Sequence, residues 1–124
     1  MFPVFRHFFS TTQSRQATMA TASDKAQKLI NDNAVIVFSK SYCPHCRATK
    51  QTLSSLDAEF TTLELDNESD GGDLQDALEQ ITGQRTVPNV FIGHKHIGGN
   101  SDVQALVKSG ELKRKLLDSG ALKA

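Results

Sequence analysis

A short apolar run, Ala34-Val35-Ile36-Val37-Phe38, is followed after four residues by the tetrapeptide Cys43-Pro44-His45-Cys46, where a helical pattern begins. No other feature constrains the fold as much. The run is rich in β-branched residues and too short for an independent helix, so it reads as a buried strand. The only two cysteines of the chain therefore fall between a strand and a helix. A thiol at a helix start feels the positive end of the dipole and unpaired backbone N–H groups. Both favour thiolate, which is the nucleophile of disulfide exchange. Strand, then CxxC, then helix is a redox arrangement with a mechanism behind it.

Size and charge narrow the function further. A chain of 124 residues is one domain with room for a tail. Its formal net charge of zero gives no reason to expect nucleic acid as a partner. Two cysteines are too few for a secreted disulfide scaffold. No apolar run approaches the roughly 20 residues of a membrane span, so no membrane association is expected. Residues 1–22 differ from the rest: they carry Arg6, His7 and Arg15, a Ser10-Thr11-Thr12 run and several phenylalanines, but no acid before Asp24. An acid-free, hydroxyl-rich, arginine-bearing leader resembles a mitochondrial transit peptide. A start at Met19 would give a leaderless cytoplasmic form. The expected division is a leader over 1–22 and a single domain over 23–124.

Periodicity lays out that domain. Ser23 is expected to cap a first helix through about Asn31. The helix from Cys43 runs to about Leu56, with Pro44 acceptable in its first turn and Thr49, Leu53 and Leu56 facing inward. Phe60 to Leu65 reads as a second strand. Leu74, Ala77, Leu78 and Ile81 form a helical stripe ended by Gly83. Asn89–Ile92 and His96-Ile97 read as strands joined by a hairpin turn at Gly93-His94-Lys95. The tail is helical with a break at Gly110. Ser101-Asp102-Val103-Gln104 matches a capping box, Ser101 as cap and Gln104 three residues on. The order αβαβαββα predicts a layered α/β domain.

That order, with CxxC after the first strand, resembles the thioredoxin fold, here a four-stranded mixed sheet flanked by helices. Three motifs point to the dithiol glutaredoxins. Lys40-Ser41-Tyr42-Cys43-Pro44-His45-Cys46 resembles their active-site loop, Thr86-Val87-Pro88 their cis-proline loop, and Gly98-Gly99-Asn100-Ser101-Asp102 the segment that holds the γ-glutamyl end of glutathione. The resemblance spans about residues 24–118. It implies a glutathione-dependent thiol–disulfide oxidoreductase with Cys43 as nucleophile and Cys46 as resolving thiol. Glutathione is a cosubstrate, no cofactor is tightly bound, and no metal is expected. The glutathione contacts implied are Lys40, Tyr42, Gln84, Thr86, Val87, Pro88, Gly99, Ser101 and Asp102, with Arg85 as a further source of positive charge. The backbone of Val87 would pair with glutathione as a short antiparallel strand. The partners implied are glutathionylated and disulfide-bonded proteins, and indirectly glutathione reductase and NADPH; the chain is expected to be a monomer. His45 stands where the family commonly has tyrosine, and Asn100-Ser101 where it often has Cys-Asp.

Three other readings compete. A thioredoxin served by its own reductase fits poorly, since the chain lacks tryptophan and the cysteines do not bracket Gly-Pro. A glutathione-ligated [2Fe–2S] carrier is the alternative within the family, against which Pro44 stiffens the loop. Zinc on Cys43, Cys46, His94 and His96 has the wrong His-x-His spacing for a finger. The stretch Asp57–Glu79, with many carboxylates and no lysine or arginine, reads as a solvated face.

Overall fold

The computed structural model describes residues 21–123. The expected leader falls, up to residue 20, outside them. Helix α1 occupies 21–32. It is followed by β1 (Val35–Ser39), α2 (Pro44–Ser55), β2 (Thr61–Glu64), a 3₁₀ turn (Leu65–Asn67), α3 (Gly71–Thr82), β3 (Asn89–Ile92), β4 (Lys95–Gly98), α4 (Asn100–Ser109) and α5 (Glu111–Ser119). The strands lie in the order β2-β1-β3-β4. β1 pairs parallel with β2 and antiparallel with β3, and β3 pairs antiparallel with β4.

β1 is central and buried along its whole length. That is why its sequence is a continuous apolar run rather than an alternation. Its side chains still alternate between faces. Ile36 and Phe38 pack with α1 and α3, through Ile30, Leu74 and Leu78. Val35 and Val37 pack with α2, α4 and α5, through Leu53, Val103, Leu112 and Leu116. Phe38 meets Phe91 of β3 edge-on at 5.8 Å between ring centres, a favourable aromatic geometry. The result is three layers with the sheet in the middle, the thioredoxin-like architecture anticipated from the element order.

Several local expectations are corrected. Residues 21 and 22 are already helical and Ala22 is buried, so Ser23 lies inside α1 and does not cap it. Ile81 continues the α3 stripe in sequence but is exposed, one residue before the helix ends at Thr82. Gly83, at φ +81°, closes α3 by donating its N–H to the Glu79 carbonyl at 2.7 Å. Gly110, also left-handed, splits the tail into α4 and α5 where the break was expected. The acidic stretch is not simply a solvated face. Glu64 pairs with Lys50 at 2.7 Å, Asp70 with Lys25 at 2.8 Å, and Asp76 with Arg85. The missing bases come from elsewhere in the chain.

Candidate active site

The C-terminal end of β1 carries the chain through Lys40-Ser41-Tyr42 to the start of α2. The helix proper begins at Pro44, and Cys43 is its N-cap, in extended conformation. An N-cap side chain faces the free N–H groups of the first turn. Accordingly the Cys46 N–H donates to Cys43 Sγ at 3.2 Å. One turn further in, Cys46 is fully buried, while Cys43 is partly exposed. Burial is the main cause that pushes the Cys46 thiol above its ordinary range, and the neighbouring Cys43 adds to it.

The loop before the cysteines is pinned from the 3₁₀ turn that follows β2. The Ser41 N–H donates to Asp66 at 3.0 Å, and the Ser41 hydroxyl donates to the other carboxylate oxygen. These bonds, with the charge of Lys40, hold the Asp66 carboxyl below the usual range. The Cys43 N–H closes the turn onto the Lys40 carbonyl at 3.1 Å. Tyr42 projects from this loop and is 69% exposed.

The second segment is brought over by β3. The Val87–Pro88 peptide is cis. The Val87 carbonyl oxygen lies 3.8 Å from Cys43 Sγ, which joins positions 44 residues apart in sequence. Gln84 braces the loop: its side-chain amide donates to the carbonyls of Thr86 and Pro88, both at 3.0 Å. Thr86 itself is exposed. Arg85 turns away, toward Asp76 and Glu79 of α3.

The third segment is the start of α4. Here the capping box is shifted from its expected place. Gly99 is the N-cap and Asp102 the third helical residue, and the Asp102 carboxylate accepts the Gly99 N–H at 3.0 Å. Ser101 lies within the first turn, exposed beside Asp102. Gln104 instead reaches Thr52 of α2 at 2.9 Å. Gly98 is required at φ +127°, since a Cβ there would collide with the Asp102 carboxylate folded back over it. Asn100 ties α4 to α2 by accepting from the buried Thr49 hydroxyl at 2.9 Å. Gly99 sits beside the Pro88 carbonyl and the Gln84 amide, so the second and third segments adjoin.

The structure thus gathers Cys43, Val87, Pro88, Gln84, Gly99 and Asp102 around one end of the sheet, with Tyr42, Thr86 and Ser101 on the exposed rim. His94 and His96 belong elsewhere. The His94 ring nitrogen meets the Ile30 carbonyl at 2.9 Å, and His96 lies on Phe91. Among the described residues no group of three or more His, Cys, Asp or Glu side chains is placed to hold a metal. Nor is any described helix long and apolar enough to cross a membrane.

Sequence reasoning missed Asp66, and it missed the bonded trio Ser39, Glu64 and Lys50 behind the loop. The signal lay in strand pairing: Ser39 and Glu64 are register partners between β1 and β2. Residues just beyond them, Ser41 and Asp66, then come together as well.

Residues 35–97 match the family model of the glutaredoxins. The chain is 55% identical over 100 residues to a glutaredoxin of Vernicia fordii, covering 81% of this chain and 96% of the relative. It is 50% identical over 101 residues to glutaredoxin-C2 of Arabidopsis thaliana, covering 82% and 91%. Among solved structures it resembles a buckwheat glutaredoxin–glutathione complex, with a TM-score of 0.84, 49% identity, and 86% and 96% of the two chains covered. The holo form of a poplar glutaredoxin C1 is similar at a TM-score of 0.82 and 44% identity, with 85% and 95% covered. The chain belongs to the glutaredoxin family and is a glutathione-dependent oxidoreductase.

Proposed function

We propose that the chain reduces glutathionyl mixed disulfides by a one-thiol route and protein disulfides by a two-thiol route. The observation that carries this reading is the unequal placement of the cysteines, Cys43 at the accessible helix start and Cys46 buried behind it. In the first route the Cys43 thiolate attacks the glutathionyl sulfur. The target thiolate leaves and takes a proton, and Cys43 holds glutathione as a mixed disulfide. A second glutathione thiolate attacks that glutathionyl sulfur, releasing oxidised glutathione and the Cys43 thiolate. In the second route Cys43 opens a protein disulfide and Cys46 displaces the bound thiol, leaving a Cys43–Cys46 disulfide for glutathione to reduce.

The backbone donor on Cys43 Sγ meets the negative charge that sulfur carries through exchange. The Val87 backbone beside it supports an extended docking of glutathione, as a strand added to an edge. The start of α4 offers N–H groups to the γ-glutamyl carboxylate, and Asp102 offers an anion to its ammonium. Lys40 supplies positive charge for the glycyl carboxylate and Tyr42 an exposed flank. Gln84 acts through the loop it braces. The reading is tested with purified protein and a glutathionylated peptide. Turnover driven by glutathione, glutathione reductase and NADPH is expected; turnover only with a thioredoxin reductase would overturn it.

The residues up to about 20 act in this reading as a mitochondrial leader, since Ala22 already belongs to the core, and a Met19 start supplies a cytoplasmic form. A reporter fused to residues 1–22 should enter mitochondria, and one that stays cytoplasmic removes the leader. The domain works as a monomer, which sedimentation with and without glutathione checks.

A further inference from the structure

The two helices whose starts build the site, α2 and α4, are joined by a polar clasp. Thr49 and Thr52 lie three residues apart on α2, and Asn100 and Gln104 four apart on α4, so each pair shares a helix face. The Thr49 hydroxyl donates to Asn100 Oδ1 at 2.9 Å. Gln104 Nε2 donates to the same oxygen at 3.2 Å and to the Thr52 hydroxyl at 2.9 Å. Both lone pairs of Asn100 Oδ1 and both protons of the Gln104 amide are thereby used. Thr49 is fully buried, and Leu53 and Val103, on the same two helices, belong to one apolar cluster. Threonine is an odd occupant of such a place. Its hydroxyl must find a partner or cost stability, and valine would fill the same space. Apolar packing sets how close two helices come but lets them slide and turn. A satisfied polar contact between them fixes register, as a buried asparagine does in coiled coils.

We propose that Thr49, Asn100 and Gln104 are positioning residues for glutathione recognition. They fix the start of α4, which carries the γ-glutamyl subsite, against the helix that carries Cys43. This rests on the γ-glutamyl subsite proposed above. The clasp acts through Gly99, which precedes Asn100, and Asp102, which follows it by two residues; these two form the cap of α4. A γ-glutamyl group seated there is covalently tied, through its own cysteine, to the sulfur that Cys43 attacks. A shift of α4 along α2 therefore misplaces one end whenever the other is seated. A disulfide without a γ-glutamyl end has no second anchor to misplace. The clasp thus governs the preference for glutathionyl disulfides and leaves the intrinsic attack of Cys43 alone.

The test compares one peptide carried on two mixed disulfides, one with glutathione and one with cysteinylglycine, which lacks only the γ-glutamyl residue. The second-order rate constant for release of the peptide thiol is measured for each with the full chain, and the ratio of the two is the preference. Thr49→Val keeps the shape and removes one donor. Gln104→Leu removes the other. Each should lower the preference by roughly three- to tenfold, the scale of one neutral hydrogen bond, with the cysteinylglycine rate unchanged. Thr49→Ser retains the hydroxyl and should restore most of the preference. Gln104 is only half-buried, so its variant keeps the test open if Thr49→Val folds poorly. Equal loss on both disulfides, or a loss that Thr49→Ser shares in full, would make these residues merely structural. An unchanged preference in both variants would overturn the proposal outright. A parent protein with no preference between the two disulfides would instead overturn the γ-glutamyl subsite itself, and the role of the clasp with it.

Discussion

The interior of the sheet and the rim of the site are held together by different physics. The interior is apolar packing: β1 is buried throughout and each of its faces meets a separate layer of helices. The rim is held by single polar contacts that bridge segments: Asp66 to Ser41, Gln84 to Thr86 and Pro88, Asp102 to Gly99, and Asn100 to Thr49. Packing is distributed and tolerant of small shifts. A polar tether acts at one point. Interior substitutions should therefore cost stability, and rim substitutions should cost chemistry or affinity at nearly constant stability.

The largest effect should come from Cys43→Ser. It should abolish turnover on both substrate types while the melting temperature holds, because serine is itself a good N-cap. Loss of folding there would break the division between rim and interior. Phe38→Ala is the matching interior change. It should cost about 3–5 kcal/mol in chemical denaturation, a large part of the stability of a domain this size. Asp102→Ala sharpens the comparison, because Asp102 both faces the proposed γ-glutamyl site and caps α4. The KM for glutathione should rise roughly tenfold or more, for a charge-assisted contact of about 1.5–3 kcal/mol. Stability should fall as well, by only about 0.5–1 kcal/mol, because the cap is Gly99 with Asp102 and not Ser101 as the sequence suggests. Gln84→Ala should raise the same KM a few-fold, for one or two lost neutral hydrogen bonds of about 1 kcal/mol each.

The smallest effect concerns pH. Ser41 lowers the Asp66 carboxyl in the folded state. Its contribution is then complete above the ordinary aspartate range and disappears as pH falls through the lowered value. Asp66→Asn should speed amide exchange at Ser41 at neutral pH. The difference from the parent protein should vanish in strong acid.

The interior was more legible in the sequence than the rim. The Val35–Phe38 run, the Leu74–Leu78 stripe and the break at Gly110 are local signals, visible within a few residues. The two cysteines were equally local, and the helix-start argument needs only their immediate neighbours. The tethers were not local. Asp66 to Ser41 spans 25 residues and depends on the parallel register of β1 and β2. Ser101 was mistaken for the α4 cap because serine is a strong capping residue by type. Gly99 takes that place since Gly98 at positive φ lets the Asp102 side chain fold back onto its N–H.

The central claim is that position alone divides the labour between two cysteines three residues apart. Incubating Cys43→Ser and Cys46→Ser with oxidised glutathione, then mapping adducts by mass spectrometry of the intact and digested protein, tests it directly. Cys46→Ser should take up one glutathionyl group, at Cys43, within the time in which Cys43→Ser takes up none. Glutathione found readily on Cys46 of the Cys43→Ser protein, with Cys46→Ser unmodified, would contradict the account.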